Sequence, residues 1–384
     1  MKQSFVVFIS LFLTLFAAIN YYSGLRTWQA FGSFLPLSAP IFWLLWFLLA
    51  ASPIVVRIRR LYLMAAAEKW VALISGYWIA ITYYALLLWL MADLLRFAAT
   101  ALHLSSLPPR PLIGLVVWSS VALLLLYGSW NARRIVVRHH RLTIAKSAGQ
   151  LPHLNAVLIS DLHLGPIIAD RQLDTMVGLI NELDADIIFF AGDTIDENVT
   201  FFIEHKMPAA LSRLKSKYGA YAVLGNHEYI GGQSEKAVVA LESAGIRVLR
   251  DSAVKIADSF YLVGRDEYSL PRYTRMSRTP LALIMAGLDQ ALPIILLDHQ
   301  PIDLSEAERQ GVDLQLSGHT HRGQFFPNNL ITRKIFAVDW GHLQRGDFQI
   351  VVSSGYGTWG PPIRIGSRPE IVQLHIDFIA PSLP

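Results

Sequence analysis

The apolar positions of this chain follow two patterns that meet near residue 130. Before that point they form long runs, Phe5 to Tyr22, Ile41 to Val56 with an apolar approach from Phe34, Val71 to Met91, and Leu112 to Trp130. Each approaches or reaches the roughly 20 residues that a helix needs to cross a bilayer. After it the runs shorten to strand length. "LNAVLIS", "ADIIFFAG", "GAYAVLGN", "LPIILLDH" and "VDLQLSG" are continuous apolar stretches of the kind found in strands covered on both faces, and polar helix-like stretches at about 170–183, 203–216, 233–244 and 303–310 separate most of them. "DFQIVVSSG" and the more alternating "EIVQLHIDF" follow near the end. The pattern predicts an anchor of about four transmembrane helices over 1–130, a basic juxtamembrane linker over 131–150 and one α/β domain over 151–384.

Charge changes the picture in the same place. Only ten of the 62 Asp, Glu, Lys and Arg residues fall in 1–130, and the 53% hydrophobic content of the whole chain reflects that stretch. Trp28, Tyr62, Trp70 and Trp130 stand where interfacial anchors are expected. The first run lacks a good cleavage site after "AAINYY" and reads as retained rather than as a signal peptide. With four crossings, ten basic residues (Lys2, Arg57, Arg59, Arg60, Lys69, Arg133, Arg134, Arg138, Arg141 and Lys146) fall on one side and Arg26, Arg96 and Arg110 on the other. That bias marks the first side as cytoplasmic, as in a bacterial inner-membrane protein with a cytoplasmic catalytic domain. The absence of cysteine is compatible with that side.

The net charge of +4 divides into +6 over 1–130, +5 over 131–150 and −7 over the rest (20 basic and 27 acidic residues). The soluble part therefore lacks the positive field that nucleic acid requires, and a nuclease is disfavoured.

Five polar clusters stand at apolar strand ends, "ISDLHLG", "AGDTID", "LGNHEY", "LDHQP" and "LSGHTHRGQ", where the loops of an α/β sheet converge on ligands. His319 and His321, and likewise Asp161 and His163, are two apart and would face one side if their backbone is extended. With Asp193, Asn226 and His299 they make seven candidate ligands of mixed nitrogen and oxygen chemistry. Such a set suits Mn, Fe, Zn, Co or Ni better than Ca or Mg. Seven ligands exceed the needs of one ion but fill two sites if one carboxylate bridges, the layout of a two-metal hydrolase.

The ordered set "DLH", "GDTID", "GNHE", "DH" and "GHTH", within residues 155–321, resembles the calcineurin-like metallophosphoesterase superfamily. "SSGYGTWGPPIRIGSRPEI" at 353–371 is similar to the tail of its membrane-associated YkuE-type branch. The resemblance implies a four-layer αββα sandwich with a dinuclear centre at its edge. It implies that Asp161, His163 and His321 hold one divalent metal ion, that Asp193 bridges, and that Asn226, His299 and His319 hold the other. His227 is then the outer histidine facing the phosphate and the leaving oxygen, oriented by Asp196. Arg322 is a candidate phosphate contact. The implied activity is hydrolysis of a phosphodiester, phosphomonoester or pyrophosphate of a small molecule or lipid, with manganese among the candidate metals and membrane lipids as partners. The alternatives are a sensor or transporter whose phosphoesterase-like domain only binds, and a nucleotide or nucleic-acid phosphodiesterase.

Other signals carry less. "GYGTWG" at 355–360 fits a dinucleotide fingerprint, but the prolines after it exclude the required helix, so it reads as a loop near the metal centre. "RRIVVRHHRLTIAK" reads as a stop-transfer flank rather than a lipid site. "LITRKIFAVDW" reads as ordinary core rather than a lipid-facing lip. Asp93, at the end of its apolar run, reads as facing headgroups rather than a transport path.

Overall fold

The computed structural model describes residues 2–57, 65–104 and 106–380, so Arg59, Arg60 and Tyr62 lie outside the described residues. It divides into two compact units, one made of 1–130 with 360–363 and the other of 131–359 with 364–384.

In the first unit the apolar runs form helices Lys2–Phe31, Ala39–Arg57, Ala65–Ala101 and Arg110–Asn131. Among the described residues, Ala39–Val56, Glu68–Ala101 and Arg110–Asn131 are long and apolar enough to cross a membrane. The first helix is 30 residues long, but its second half carries Asn20, Ser23, Arg26, Thr27 and Gln29. So three of the four expected crossings meet that criterion. Part of the first apolar run, at its start, lies on side chains outside the described set.

Phe42, Trp46, Ala50 and Trp78 form a buried cluster. Buried Asn20 accepts from the indoles of Trp46 and Trp78, at 3.0 and 2.9 Å. Trp28 packs on Phe42 with ring centroids 5.1 Å apart, whereas Trp70 and Trp130 are exposed. Asp93 is paired, with Arg26 at 2.6 Å and the Tyr22 hydroxyl at 2.6 Å.

The second unit holds two six-stranded sheets. The strands are β1 (Val136–Ile144), β2 (His153–Ile159), β3 (Ile187–Ala191), β4 (Ala220–Val223), β5 (Ile246–Val248), β6 (Ser252–Ile256), β7 (Phe260–Gly264), β8 (Ile294–Leu297), β9 (Leu314–Ser317), β10 (Gly341–Arg345), β11 (Phe348–Val352) and β12 (Glu370–Phe378). Their order is β1-β12-β2-β3-β4-β5 in one sheet and β10-β11-β9-β8-β7-β6 in the other.

Alternation along the strands builds the layers. Leu154, Ala156, Leu158, Ile187, Phe189 and Ala191 point to one side, where they pack with Phe260, Leu262, Ile295, Leu297, Leu314 and Leu316 of the other sheet. Val157, Ile159, Ile188 and Phe190 point the other way, onto Leu173, Met176 and Ile180 of the helix Asp170–Glu182. Outer-face residues of the second sheet, Val263, Ile294 and Leu296, pack with Leu281, Met285 and Leu304. The layering is α-β-β-α, and burial on both faces of each sheet is why the strands read as unbroken apolar runs.

Three expectations change. The stretch 131–150 is not only a linker, because it contains β1, which pairs in parallel with β12 along nine residues. Arg138 pairs with Glu370 at 3.3 Å and Lys146 with Asp313 at 2.9 Å, so part of the basic run serves the fold. The helix expected at 203–216 is two shorter ones, Val199–Glu204 and Met207–Leu211, broken at Lys206, whose φ of 54° cannot continue a helix. The segment 330–340 is only partly core: Val338 packs against the outer-face cluster of the second sheet and Asp339 is buried. The helix Asn328–Ile335 leaves Leu330, Ile331 and Ile335 at 50, 56 and 67% exposure.

Candidate metal centre

Every polar cluster predicted at a strand end arrives at one place. Asp161 and His163 follow β2, Asp193 follows β3, Asn226 and His227 follow β4, His299 follows β8, and His319 and His321 follow β9. Asp161, His163 and His321 form one group able to hold a metal ion, and Asp193, His299 and His319 form another.

In the first group the Nε2 atoms of His163 and His321 lie 3.1 Å apart, and His321 Nε2 is 3.4 Å from Asp161 Oδ1. In the second, His299 Nε2 is 3.3 Å from Asp193 Oδ2, and His319 Nδ1 is 3.0 Å from Asn226 Oδ1. Asp193 Oδ2 also lies 3.9 Å from His163 Nε2, which puts its carboxylate between the groups.

The i, i+2 pairs do not meet by extended geometry, a correction to the sequence argument. Asp161, His163, Asp193, His319 and His321 all take positive φ, between 47 and 71°. Left-handed backbone is costly for residues other than glycine and clusters at functional sites. Here it turns successive side chains inward from tight loops. Glycine provides the clearance, since a Cβ on Gly225 would collide with Asp193 Oδ1 and one on Gly318 with Asp161 Oδ2.

Electrostatics fit the same reading. Burial keeps His163 neutral, with its pKa near 3, aided by the neighbouring His227. Burial likewise lowers His319 to about 4, and lowers His321 well below its usual range. Neutral imidazole is the form that ligates.

His299 differs. Its Nδ1 donates to the Ala191 carbonyl at 2.7 Å, which leaves Nε2 buried without a hydrogen bond and facing Asp193. Burial opposes charge there, but Asp193 outweighs it and raises the pKa well above the usual value. A lone pair aimed at a carboxylate needs a cation between them, and a metal ion supplies one as well as a proton does. The residues present therefore fit a pair of divalent ions.

His227 is buried, and it sits with His163 and Asp193 in a third metal-capable group. Its Nδ1 is held by Asp196 at 3.0 Å, and its backbone N–H donates to Asp193 Oδ1 at 2.8 Å. Burial works against protonation, but Asp193 and Asp196 prevail and hold the imidazole up at about 9. Arg322, the candidate phosphate contact, lies with its guanidinium 4.0 Å from the Trp340 ring centroid.

A family model described as calcineurin-like phosphoesterase matches residues 154–323. The chain is 37% identical over 216 residues to a metallophosphoesterase of Aquifex aeolicus, an alignment covering 56% of this chain and 81% of that one. The chain belongs to the calcineurin-like metallophosphoesterase family. It is also 30% identical to the Bacillus subtilis metallophosphoesterase YkuE, over 58% of this chain and 79% of that one. A Danio rerio transmembrane protein with a metallophosphoesterase domain is 33% identical over 66% of this chain, which spans 60% of that relative's length. This metallophosphoesterase thus carries a domain of the metal-dependent phosphoesterase kind, and its relatives include proteins named as transmembrane.

Two of its residues escaped the sequence argument. Glu228 of "GNHE" is buried and accepts from the backbone N–H groups of Ile195 and Gly225, at 2.9 and 2.8 Å, tying the β3 and β4 loops together. Its signal was its place beside His227.

Arg364 is wholly buried and donates to the carbonyls of Ser354 (2.8 Å), Gly355 (3.0 Å) and Gly357 (2.6 Å). It fixes the "GYGTWG" loop, whose Gly357 N–H in turn donates to the Asp161 carbonyl at 2.8 Å. Replacing Arg364 by Met strands those carbonyls. The expected result is a loss of about 3 kcal/mol or more in denaturant unfolding of the metallophosphoesterase, with metal affinity reduced about 10- to 100-fold. An unchanged unfolding midpoint would contradict the role given to Arg364.

Proposed function

We propose that this protein is a membrane-tethered phosphohydrolase with two divalent ions at the strand-end cluster, acting on a phosphodiester, phosphomonoester or pyrophosphate that includes lipid-linked forms. The observation that carries the reading is the pair of three-residue groups, Asp161, His163 and His321 beside Asp193, His299 and His319, with the Asp193 carboxylate 3.9 Å from His163. Asp161, His163 and His321 would hold one ion, Asn226, His299 and His319 the other, and Asp193 both. Ions bound there would lower the pKa of a water molecule and neutralise phosphoryl oxygens.

The chain's own groups do the rest. Asp196 fixes the ring of His227 through Nδ1, leaving Nε2 to face substrate, and a protonated His227 can pass its proton to the departing oxygen. A binding-only sensor finds less support, because this proton donor is in place and oriented.

The test is elemental analysis of the purified full-length protein with hydrolysis assays on aryl phosphodiesters, nucleotide diesters and lipid-linked pyrophosphates. Two ions per chain under saturating Mn and metal-dependent turnover are expected. At most one ion per chain would sink the dinuclear reading.

Orientation is part of the proposal, with the catalytic unit facing the cytoplasm. It does not depend on the first helix. The segments 57–69 and 131–150 share a side for any topology in which the last three helices cross, and they carry nine of the ten basic residues counted on that side. A reporter fused after residue 150 should be cytoplasmic and one near Pro108 external. Access to the residue-150 fusion only from outside the cell would overturn the assignment. A further fusion at the N-terminus decides whether Lys2–Phe31 is a fourth crossing.

A further inference from the structure

The helix Asn328–Ile335 follows directly on the His319–His321 turn, and its neighbour Phe336 lies 6.2 Å, ring to ring, from His319. Its outward face is apolar where a soluble surface would be polar. Ile331 and Ile335 stack one turn apart at 56 and 67% exposure, Leu330 lies beside them at 50%, and Phe326 just ahead of the helix is 51% exposed. The inner side is fixed, with Asn329 buried and the Thr332 hydroxyl donating to Asp339 at 2.6 Å. So four large apolar side chains are exposed on or just ahead of one anchored element, a grouping of the kind that marks an interaction surface. Arg333 and Lys334, both exposed, accompany them on the same short helix.

We infer that this helix is a lip that docks on the anionic surface of the bilayer carrying the protein, with Phe326, Leu330, Ile331 and Ile335 among the lipid chains and Arg333 and Lys334 at the phosphates. Two observations select lipid over other occupants. The first is composition, because large apolar residues beside Lys and Arg on one helix are the pattern of elements that lie in the headgroup boundary. The second is the tether. Only residues 132–135 separate the helix Arg110–Asn131 from β1, a span of about 15 Å at most when extended, so a bilayer lies close to this unit throughout its lifetime. The local lipid concentration makes even a weak lip effective. The inference rests on the membrane-tethered part of the proposed function together with exposure and composition, and not on hydrolysis, so either can fail without the other.

The test uses the absence of native cysteine. Full-length protein carrying Ile331→Cys or Ile335→Cys is labelled with an environment-sensitive fluorophore and reconstituted into vesicles of phosphatidylethanolamine and phosphatidylglycerol. Val239→Cys serves as reference, since Val239 is 67% exposed on the helix Ser234–Ser243. Lipids bearing a nitroxide just below the headgroup should quench labels at 331 and 335 at least about twofold more than at 239, consistent with an apolar face set about 5–10 Å into the boundary. Arg333→Glu with Lys334→Glu should reduce that quenching, and replacing phosphatidylglycerol by phosphatidylcholine should do the same.

Equal quenching at all three positions would overturn the inference. So would labels at 331 and 335 that escape lipid quenching yet become shielded as protein density in the vesicle rises, since a second copy of the chain would then cover the patch. Emission from each labelled protein in detergent, compared before and after thermal unfolding, confirms that the folded state is being read.

Discussion

Asp193→Asn should disturb both ions at once. The Asp193 carboxylate faces His299 at 3.3 Å and His163 at 3.9 Å, while its other oxygen accepts from the His227 N–H. Burial raises the cost of its charge, but His299 and His227 outweigh this and hold its pKa well below the ordinary carboxylate range. It is therefore the anion that balances the cluster. Asparagine keeps the shape and removes the charge, so elemental analysis should show metal content falling from two ions per chain to one or none. Turnover should fall by about a thousandfold, the scale of losing a principal electrostatic stabiliser. Retention of two ions by the Asn variant would mean that the groups bind independently, and the shared-carboxylate model would fail.

His227→Ala should separate chemistry from metal binding. Its imidazole is fastened to Asp196, and although it also forms a metal-capable group with His163 and Asp193 it stands outside the proposed ligand set, so metal content should stay at the wild-type value. Loss of a proton donor costs about a hundredfold to ten-thousandfold when the leaving group is a poor one. A nitrophenolate leaving group needs no proton and should lose far less. If alkyl and nitrophenyl esters slowed equally, His227 would act as a phosphate contact. If one ion were lost instead, it would be a ligand.

Much of the site is legible in the sequence because of how the strands are buried. A strand covered on both faces must be apolar until it ends, so the first polar residues after "LNAVLIS", "ADIIFFAG" or "VDLQLSG" stand out at the edge where loops converge. What escapes is what depends on distant partners. β1 carries Arg138, His139, His140 and Arg141 and reads as a flank, and its strand character comes from pairing with β12 more than 200 residues later. Arg364 gave no local signal, since its shortest bonds go to carbonyls of a turn seven to ten residues away and it also reaches His321, 43 residues earlier. The lip failed for another reason. Hydropathy measures how apolar Leu330, Ile331 and Ile335 are but not which way a helix faces, and a core helix and an interfacial one can have the same composition. The left-handed backbone at five candidate ligands was likewise invisible, because Asp and His allow it without announcing it.

The two three-residue groups draw on both sheets. Asp161 and His163 come from the end of β2 and meet His321 from the end of β9, while Asp193 from β3 meets His299 and His319 from β8 and β9. Each ion would then be a cross-link between layers that otherwise meet mainly through apolar side chains, with polar ties such as Lys146 to Asp313 and Gln349 to the Thr143 carbonyl. Occupancy at a hundred times the dissociation constant adds about 2.7 kcal/mol per site to the folded state, all of it resisting separation of the sheets along this edge. Neither clasp can close until the chain has been made through His319 and His321, long after the first sheet's strands β2 to β5 exist. Metal capture would therefore be a late, sealing event in folding, and chelation should first be felt as faster amide exchange where β2 and β9 end.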